Sequence, residues 1–279
     1  MAIRPDHDDD APIGRILTRR EVLALFGSGA GAALLAACAP SLLVSPSATS
    51  GSSAAGAASP SAAASAAASA AASASAVASV PSCIVRPELT EGPYFVDELL
   101  NRSDIRSDPS DGSVKEGLPL AITFAVSRID GTSCTAFEGA VVDIWHCDAL
   151  GVYSDVSDPG FDTSGQKWLR GYQETNANGL ADFTTIWPGW YQGRAVHIHF
   201  KIRTEPGASS GLEFTSQPFF DEAVTDAVHA QEPYASKGYR TLLNEGDGIY
   251  QRSSGQTLLT ASETDEGYAG TFKIGIQVS

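Results

Sequence analysis

Residues 191–200 read YQGRAVHIHF, a stretch that contains a phenol, a guanidinium and two imidazoles. The alternating and β-branched residues from Ala195 to Lys201 predict a β-strand. On a strand, His197 and His199 project from the same face, about 7 Å apart along the chain. The pair is therefore a candidate for two metal ligands.

The nature of the metal depends on what accompanies this pair. A His-x-His pair alone fits zinc, copper or no metal, because it also occurs as two partly exposed strand histidines. Tyrosine has an ordinary pKa near 10 and binds zinc or ferrous iron poorly at neutral pH, whereas hard ferric iron holds it as phenolate. Two histidines together with two tyrosines would point to Fe(III).

A second tyrosine lies upstream, at the end of EGAVVDIWHCDALGVY, residues 138–153. This segment predicts an apolar strand with Asp143, a short turn from Asp148 to Gly151, and then Tyr153. Here the chain resembles the intradiol ring-cleavage dioxygenases, the family of catechol and protocatechuate dioxygenases. The shared motifs occur in order and are TEGPYF (90–95), GAVVDIWHCDALGVY (139–153), NGLADFTTIWPGWY (178–191), RAVHIHF (194–200) and TSQPFF (215–220).

The resemblance implies a site for Fe(III) with four ligands, which are Tyr153, Tyr191, His197 and His199. The implied reaction uses O2 to open a catechol ring between its two hydroxyl-bearing carbons, giving a cis,cis-muconate-type product. Both atoms of O2 enter that product. In this reaction Tyr191 is displaced from the metal and takes up a proton.

Three further residues receive roles from the same resemblance. Arg194 matches the arginine that faces the bound substrate, and Gln217 matches the glutamine that supports it. Tyr94 is a candidate for the pocket wall. Taken singly, four of the site residues have plainer interpretations: a turn tyrosine at 153, a rim aromatic at 191, a surface ion pair at 194 and a strand glutamine that satisfies backbone groups at 217.

The region from residue 83 to 279 predicts an all-β fold, an antiparallel β-sandwich. Its short apolar runs are separated by Gly, Asp, Asn and Pro turns. The family fold implied by the resemblance is the same. The expected strands cover 120–126, 140–145, 181–187, 195–202 and 270–278, and the one expected helix covers 221–230.

The N-terminal part predicts an exported lipoprotein. Residues 1–38 read as a Tat-type signal peptide, with a twin-arginine pair at Arg19 and Arg20 and a lipobox that ends at Cys38. Lipidation of Cys38 would anchor the chain at the outer face of the membrane, whereas plain cleavage near Ala37 is the alternative. Residues 39–82 are rich in Ala and Ser and predict a disordered linker.

Three cysteines remain after Cys38, and an odd count leaves one unpaired in an oxidising compartment. The pairing we favour joins Cys83 to Cys134 and leaves Cys147 buried as a small apolar residue. His146 is interpreted as a strand histidine satisfied by its neighbours. His229 is expected to be solvated.

The formal net charge is −15. This acidic balance argues against nucleic acid as a partner. The resemblance implies a catechol-type substrate and O2 as the partners of the site. Homo-oligomerisation stays open. The alternatives are an exported, non-catalytic module that binds wall polymers or carbohydrate on Trp187, Trp190 and Tyr191, and a zinc or copper protein.

Overall fold

The computed structural model describes residues 83–205 and 211–278. The predicted signal peptide, the lipobox cysteine Cys38 and the predicted linker over 39–82 lie outside these residues. Within them, no helix is both long and apolar enough to cross a membrane.

The described part of the chain consists mainly of β-strands. The strands are β1 (Pro119–Asp130), β2 (Ser133–Ala136), β3 (Val141–Trp145), β4 (Ser157–Asp158), β5 (Phe161–Asp162), β6 (Arg170–Glu174), β7 (Leu180–Ile186), β8 (His199–Arg203), β9 (Glu213–Ser216), β10 (Phe219–Phe220), β11 (Leu258–Leu259), β12 (Ala261–Thr264) and β13 (Gly267–Gln277). The helices are α1 (Glu222–His229) and α2 (Gly248–Arg252), with 3-10 turns at Tyr234–Lys237 and Asn244–Gly246.

Two sheets form the framework. In the first sheet, β13 lies on one side of β1 and also pairs with β12. On the other side of β1, both β7 and β2 pair with it. The second sheet has the order β6-β3-β8-β9 and is antiparallel throughout. The pairing of β1 with β13 is parallel, so the first sheet is mixed.

The core lies between the two sheets. Along β1 the residues at alternate positions are buried, as a strand with one covered face requires. Phe124 of β1 packs against Phe200 of β8, with ring centroids 5.0 Å apart, and against Phe272 of β13 at 5.9 Å. The all-β sandwich predicted from the sequence is confirmed, and the parallel pairs β1–β13 and β10–β11 are the departures from a purely antiparallel arrangement.

The strand predicted from Ala195 is wrong over its first residues. Strand β8 begins only at His199, and His197 forms an isolated bridge to Phe219. The reason lies at Ala195, where the backbone bonds to side chains instead of a neighbouring strand. The Ala195 amide donates to Asp247 Oδ2 at 2.9 Å, and the Ala195 carbonyl meets His197 Nδ1 at 2.7 Å.

Two local predictions are confirmed. Helix α1 begins after Asp221, whose carboxylate accepts a hydrogen bond from the Val224 amide at 3.0 Å, as an N-cap does. Cys83 and Cys134 form a disulfide, and Cys147 is a buried free cysteine.

Candidate metal centre and active site

The two histidines converge on one point. His197 Nε2 and His199 Nε2 lie 2.9 Å apart, and both side chains are buried. A carbonyl oxygen only accepts, so His197 carries its proton on Nδ1, where it donates to the Ala195 carbonyl at 2.7 Å. The Nε2 of His197 therefore presents a lone pair towards the centre of the site.

The ring of His199 is held by packing. It stacks on Trp145 with centroids 5.0 Å apart and planes 10° apart. On another side it meets Gly92, whose φ is +73° and whose added Cβ would lie 3.1 Å from His199 Cε1. Only glycine suits both the backbone conformation and the contact, so the TEGPYF segment fixes this imidazole through its backbone.

The two tyrosines reach the histidines from separate loops. Tyr153 follows β3 and the Asp148–Gly151 turn, and Tyr191 follows β7. Their rings meet edge-on with centroids 5.7 Å apart. The Tyr153 ring lies 6.2 Å from that of His199, and the Tyr191 ring lies 6.3 Å from that of His197. The structure thus brings together all four predicted ligands.

The loops that carry the tyrosines are pressed against each other. A Cβ on Gly189 would clash with the carbonyls of Asp148 and Ala149. Cys147 Sγ contacts the Gly189 carbonyl at 3.5 Å. The missing side chain at Gly189 therefore permits the close approach that sets the spacing of the two phenols.

Burial favours the neutral forms of the buried donors. Desolvation lowers the pKa of His197 to about 3, with help from the nearby Arg194 charge, and lowers the pKa of His199 far below its usual value. Neutral imidazoles are the form that binds metal. Desolvation also raises the pKa of Tyr153, so its phenolate requires a cation close by.

The donor set fits a ferric ion. Tyr153 Oη is buried and has no hydrogen-bond partner among residues 83–205 and 211–278. Such an orphaned oxygen is costly unless something binds it. In the same residues no group of three or more His, Cys, Asp and Glu side chains is placed to hold a metal. The rings of Tyr153 and Tyr191 are the phenols that lie beside the two histidines. Phenolate oxygens suit a hard trivalent cation.

Arg194 lies next to this cluster in a buried polar network. Its Nε donates to Asp247 Oδ2 at 2.9 Å, and its Nη2 donates to Gln217 Oε1 at 2.6 Å. Gln217 in turn donates from Nε2 to the Thr90 carbonyl at 2.8 Å. The guanidinium is thus held in one orientation, and the plain surface ion pair considered from the sequence does not describe it.

Asp247 is the site residue that sequence reasoning missed. Its Oδ2 accepts from Arg194 Nε and from the Ala195 amide, each at 2.9 Å, while its Oδ1 accepts from Ile249 at 2.8 Å and caps α2. Burial raises the pKa of Asp247, but the Arg194 charge and the Ala195 amide outweigh this and leave the pKa lowered. In the sequence it resembles any helix-capping Asp before a glycine, 53 residues from Arg194.

Three other expectations concern aromatic and histidine residues nearby. His146 is satisfied as predicted, by the Cys147 carbonyl at 2.8 Å and Thr185 Oγ1 at 2.7 Å. The solvated His229 is wrong: the residue is buried, because its ring stacks on Tyr234 at 5.0 Å. A stacking platform that includes Trp187 is also wrong, because Trp187 is 1% exposed and lies in the core.

The pocket wall predicted at Tyr94 borders the two tyrosines. Its ring lies 4.6 Å from Tyr153 and 5.8 Å from Tyr191, centroid to centroid. Its hydroxyl donates to Asp158 Oδ2 at 2.7 Å. The site therefore has a cationic side at Arg194 and an aromatic side at Tyr94.

Known proteins share this fold and parts of this sequence. An intradiol ring-cleavage dioxygenase from Tetranychus urticae is 31% identical, with a TM-score of 0.61 over 70% of this chain and 95% of that one. Another solved dioxygenase is also 31% identical, with a TM-score of 0.59 over 70% of this chain and 95% of its own.

One curated relative matches over a shorter stretch. Catechol 1,2-dioxygenase 1 from Acinetobacter lwoffii is 26% identical over 151 residues, 46% of this chain and 45% of that protein. The match thus spans less than half the length of this relative. No protein-family model matches the chain.

Proposed function

Because this chain belongs to the intradiol ring-cleavage dioxygenases, we propose that it uses ferric iron and O2 to cleave catechol-type rings between the two hydroxyl-bearing carbons. The observation that carries the proposal is the convergence of two Nε2 atoms, 2.9 Å apart, beside the orphaned Tyr153 Oη. Two nitrogens about 2.1 Å from one metal and at right angles would be about 3 Å apart.

The proposed ligands are Tyr153, Tyr191, His197 and His199. Bound Fe(III) would supply Lewis-acid chemistry, holding the catechol as a dianion and lending its ring the electron density that O2 attacks. The protein keeps His197 in the right tautomer through the Ala195 carbonyl and keeps His199 in place through Trp145.

The two tyrosines differ in burial, and we assign them different tasks. Tyr153 is 1% exposed and would hold the metal throughout, whereas Tyr191 is only half-buried. Tyr191 Oη would be the group that accepts one of the catechol protons when substrate binds. The greater exposure of the Tyr191 side chain supports this assignment.

Arg194 stabilises the negative charge that develops on the substrate. Its Nε and Nη2 are occupied by Asp247 and Gln217, while its Nη1 makes no hydrogen bond within the described residues. A preorganised donor of this kind typically contributes a few kcal/mol to the transition state, because it needs no reorientation during the reaction. Gln217 acts through Arg194 and through the Thr90 carbonyl.

Cleavage of catechol under ¹⁸O2 tests the proposed reaction. Iron-loaded protein is expected to give a ring-opened diacid with one labelled oxygen in each new carboxyl group. An Arg194→Ala variant is expected to keep its iron and lose turnover. Iron-loaded wild-type protein that leaves catechol unchanged would contradict the proposal.

We also propose that the enzyme is exported by Tat and anchored outside the membrane through Cys38. The twin-arginine pair, the lipobox and the Cys83–Cys134 disulfide support this location, since disulfides persist in oxidising compartments. Metabolic labelling with a fatty acid tests it. Wild-type chain is expected to incorporate the label and Cys38→Ala chain to lack it, whereas equal labelling of the two would contradict the anchor.

A further inference from the structure

The aromatic side of the site carries a negative charge that the proposed reaction does not use. Tyr94 packs on both tyrosine ligands and donates its hydroxyl to Asp158 Oδ2 at 2.7 Å. The carboxylate of Asp158 is therefore only one phenol ring away from Tyr153 and Tyr191.

Asp158 is held in place. It ends β4, and its Oδ1 accepts from the Gly160 amide at 2.8 Å in the tight turn before β5. Phe161, the first residue of β5, lies 6.4 Å from the Tyr94 ring. Because each carboxylate oxygen has a partner, the charge stays beside the pocket instead of turning into solvent.

The charge of Asp158 has no cationic partner in the described part of the chain. Arg194 is paired with Asp247 at 2.9 Å. Arg170 lies at the backbone end of Tyr94, where it donates to the Tyr94 carbonyl at 2.6 Å and to Ser154 Oγ at 2.9 Å. The hydroxyl end of Tyr94 therefore faces the carboxylate of Asp158 and not either of these two cations.

We propose that Asp158 is a specificity residue, which makes the site select catechols with uncharged ring substituents and reject catechols that carry a carboxylate. The inference rests on the proposed function. For two like charges about 7 Å apart in a partly buried site, repulsion lowers affinity roughly 50-fold. The aromatic rings of Tyr94 and Phe161 offer an uncharged substituent an apolar surface instead.

Two compounds of the same shape test the charge alone: 3,4-dihydroxybenzamide and 3,4-dihydroxybenzoate. The full chain loaded with iron is titrated with each by calorimetry without O2, and kcat/KM is measured by O2 uptake. The benzamide is expected to exceed the benzoate by at least about tenfold in both affinity and kcat/KM. Asp158→Asn is expected to shrink this ratio to less than about threefold.

Asp162→Asn is the matched control, because it removes the same charge from the same hairpin. Asp162 bonds to Ser164 at 2.6 Å, and its carboxylate makes no contact with Tyr94. The control is expected to keep the wild-type ratio. Tyr94→Phe, a second variant, removes the donor but leaves the charge, so the preference for the benzamide is expected to persist.

The outcomes separate this inference from the function on which it rests. Wild-type enzyme that cleaves catechol but treats both compounds alike would overturn the role of Asp158 and leave the function standing. If folded Asp158→Asn enzyme kept the wild-type ratio between the benzamide and the benzoate, the role of Asp158 would likewise be overturned and the function would stand. Folded, iron-loaded protein that neither binds nor cleaves catechol would overturn both.

Discussion

The two halves of the candidate metal centre are built differently. The histidines stand two residues apart where β8 begins, and a few neighbours fix each ring. The two tyrosines are 38 residues apart in the sequence and lie on different loops. The distance between these loops depends on backbone packing at Gly189. The histidine half is therefore a local structure, whereas the tyrosine half exists only once the sandwich has assembled.

The largest effect is expected from the histidine half. His199→Ala removes one donor, and we expect iron affinity to fall by more than about 100-fold, since even indirect supports of a metal ligand are worth 10- to 100-fold. Iron content after reconstitution measures this. His146→Ala is the control, because His146 is equally buried but bonds to Cys147 and Thr185. Comparable iron loss in both variants would contradict the assignment.

The network behind Arg194 is expected to give the next largest effect. Asp247→Asn keeps the shape of the side chain but removes the charge that orients Arg194, so kcat/KM should fall about 10- to 100-fold with iron content unchanged. Asp221→Asn is a matched control, since Asp221 also caps a helix. If both variants lose activity equally, the effect is one of stability and the positioning role of Asp247 is wrong.

The tyrosine half is tested by adding a side chain at Gly189, where the two tyrosine loops touch. Gly189→Ala would press a methyl group against the carbonyls of Asp148 and Ala149, so unfolding free energy should fall by about 2 kcal/mol. The tyrosinate absorption of the iron-loaded protein should weaken with it. Chemical denaturation and visible spectra measure both. Gly248→Ala, where an added Cβ meets nothing within 4 Å, should change neither.

A smaller effect is expected in the pH dependence of stability. Burial lowers the pKa of His146 to about 4, whereas in the unfolded chain it is about 6.5. The unfolded chain binds this proton as pH falls through 6.5 and the folded chain does not until about pH 4, so stability falls across that window by about 3 kcal/mol. His146→Gln should flatten this part of the profile. Identical profiles for the two proteins would contradict the contribution of His146.

The sequence was most informative where structure is local. An apolar run bounded by turn residues predicted β1 over 120–126, turn residues predicted the loop before Tyr153, and the helix expected over 221–230 corresponds to α1. The pairing of His197 with His199 was also predicted from the sequence. The strand begins later than expected, because the Ala195 amide bonds to Asp247. A side chain that is distant in sequence set that boundary.

Contacts between residues that are distant in the sequence could not be predicted from motif spacing. Asp247 resembles an ordinary helix cap, and Asp158 an ordinary turn residue, until the fold places one beside Arg194 and the other beside Tyr94. His229 was misjudged for the same reason. Its helix is polar, but the ring lies against Tyr234 and under the loop that carries Tyr191.

The visible absorption spectrum of the iron-loaded protein tests the central claim most directly, that both tyrosines bind ferric iron. We expect a broad tyrosinate band that weakens in Tyr153→Phe and in Tyr191→Phe and is unchanged in Tyr172→Phe, a strand tyrosine in β6. Anaerobic catechol should shift the wild-type band. A spectrum without the band, or a band that neither of the first two substitutions alters, would contradict the four-ligand site.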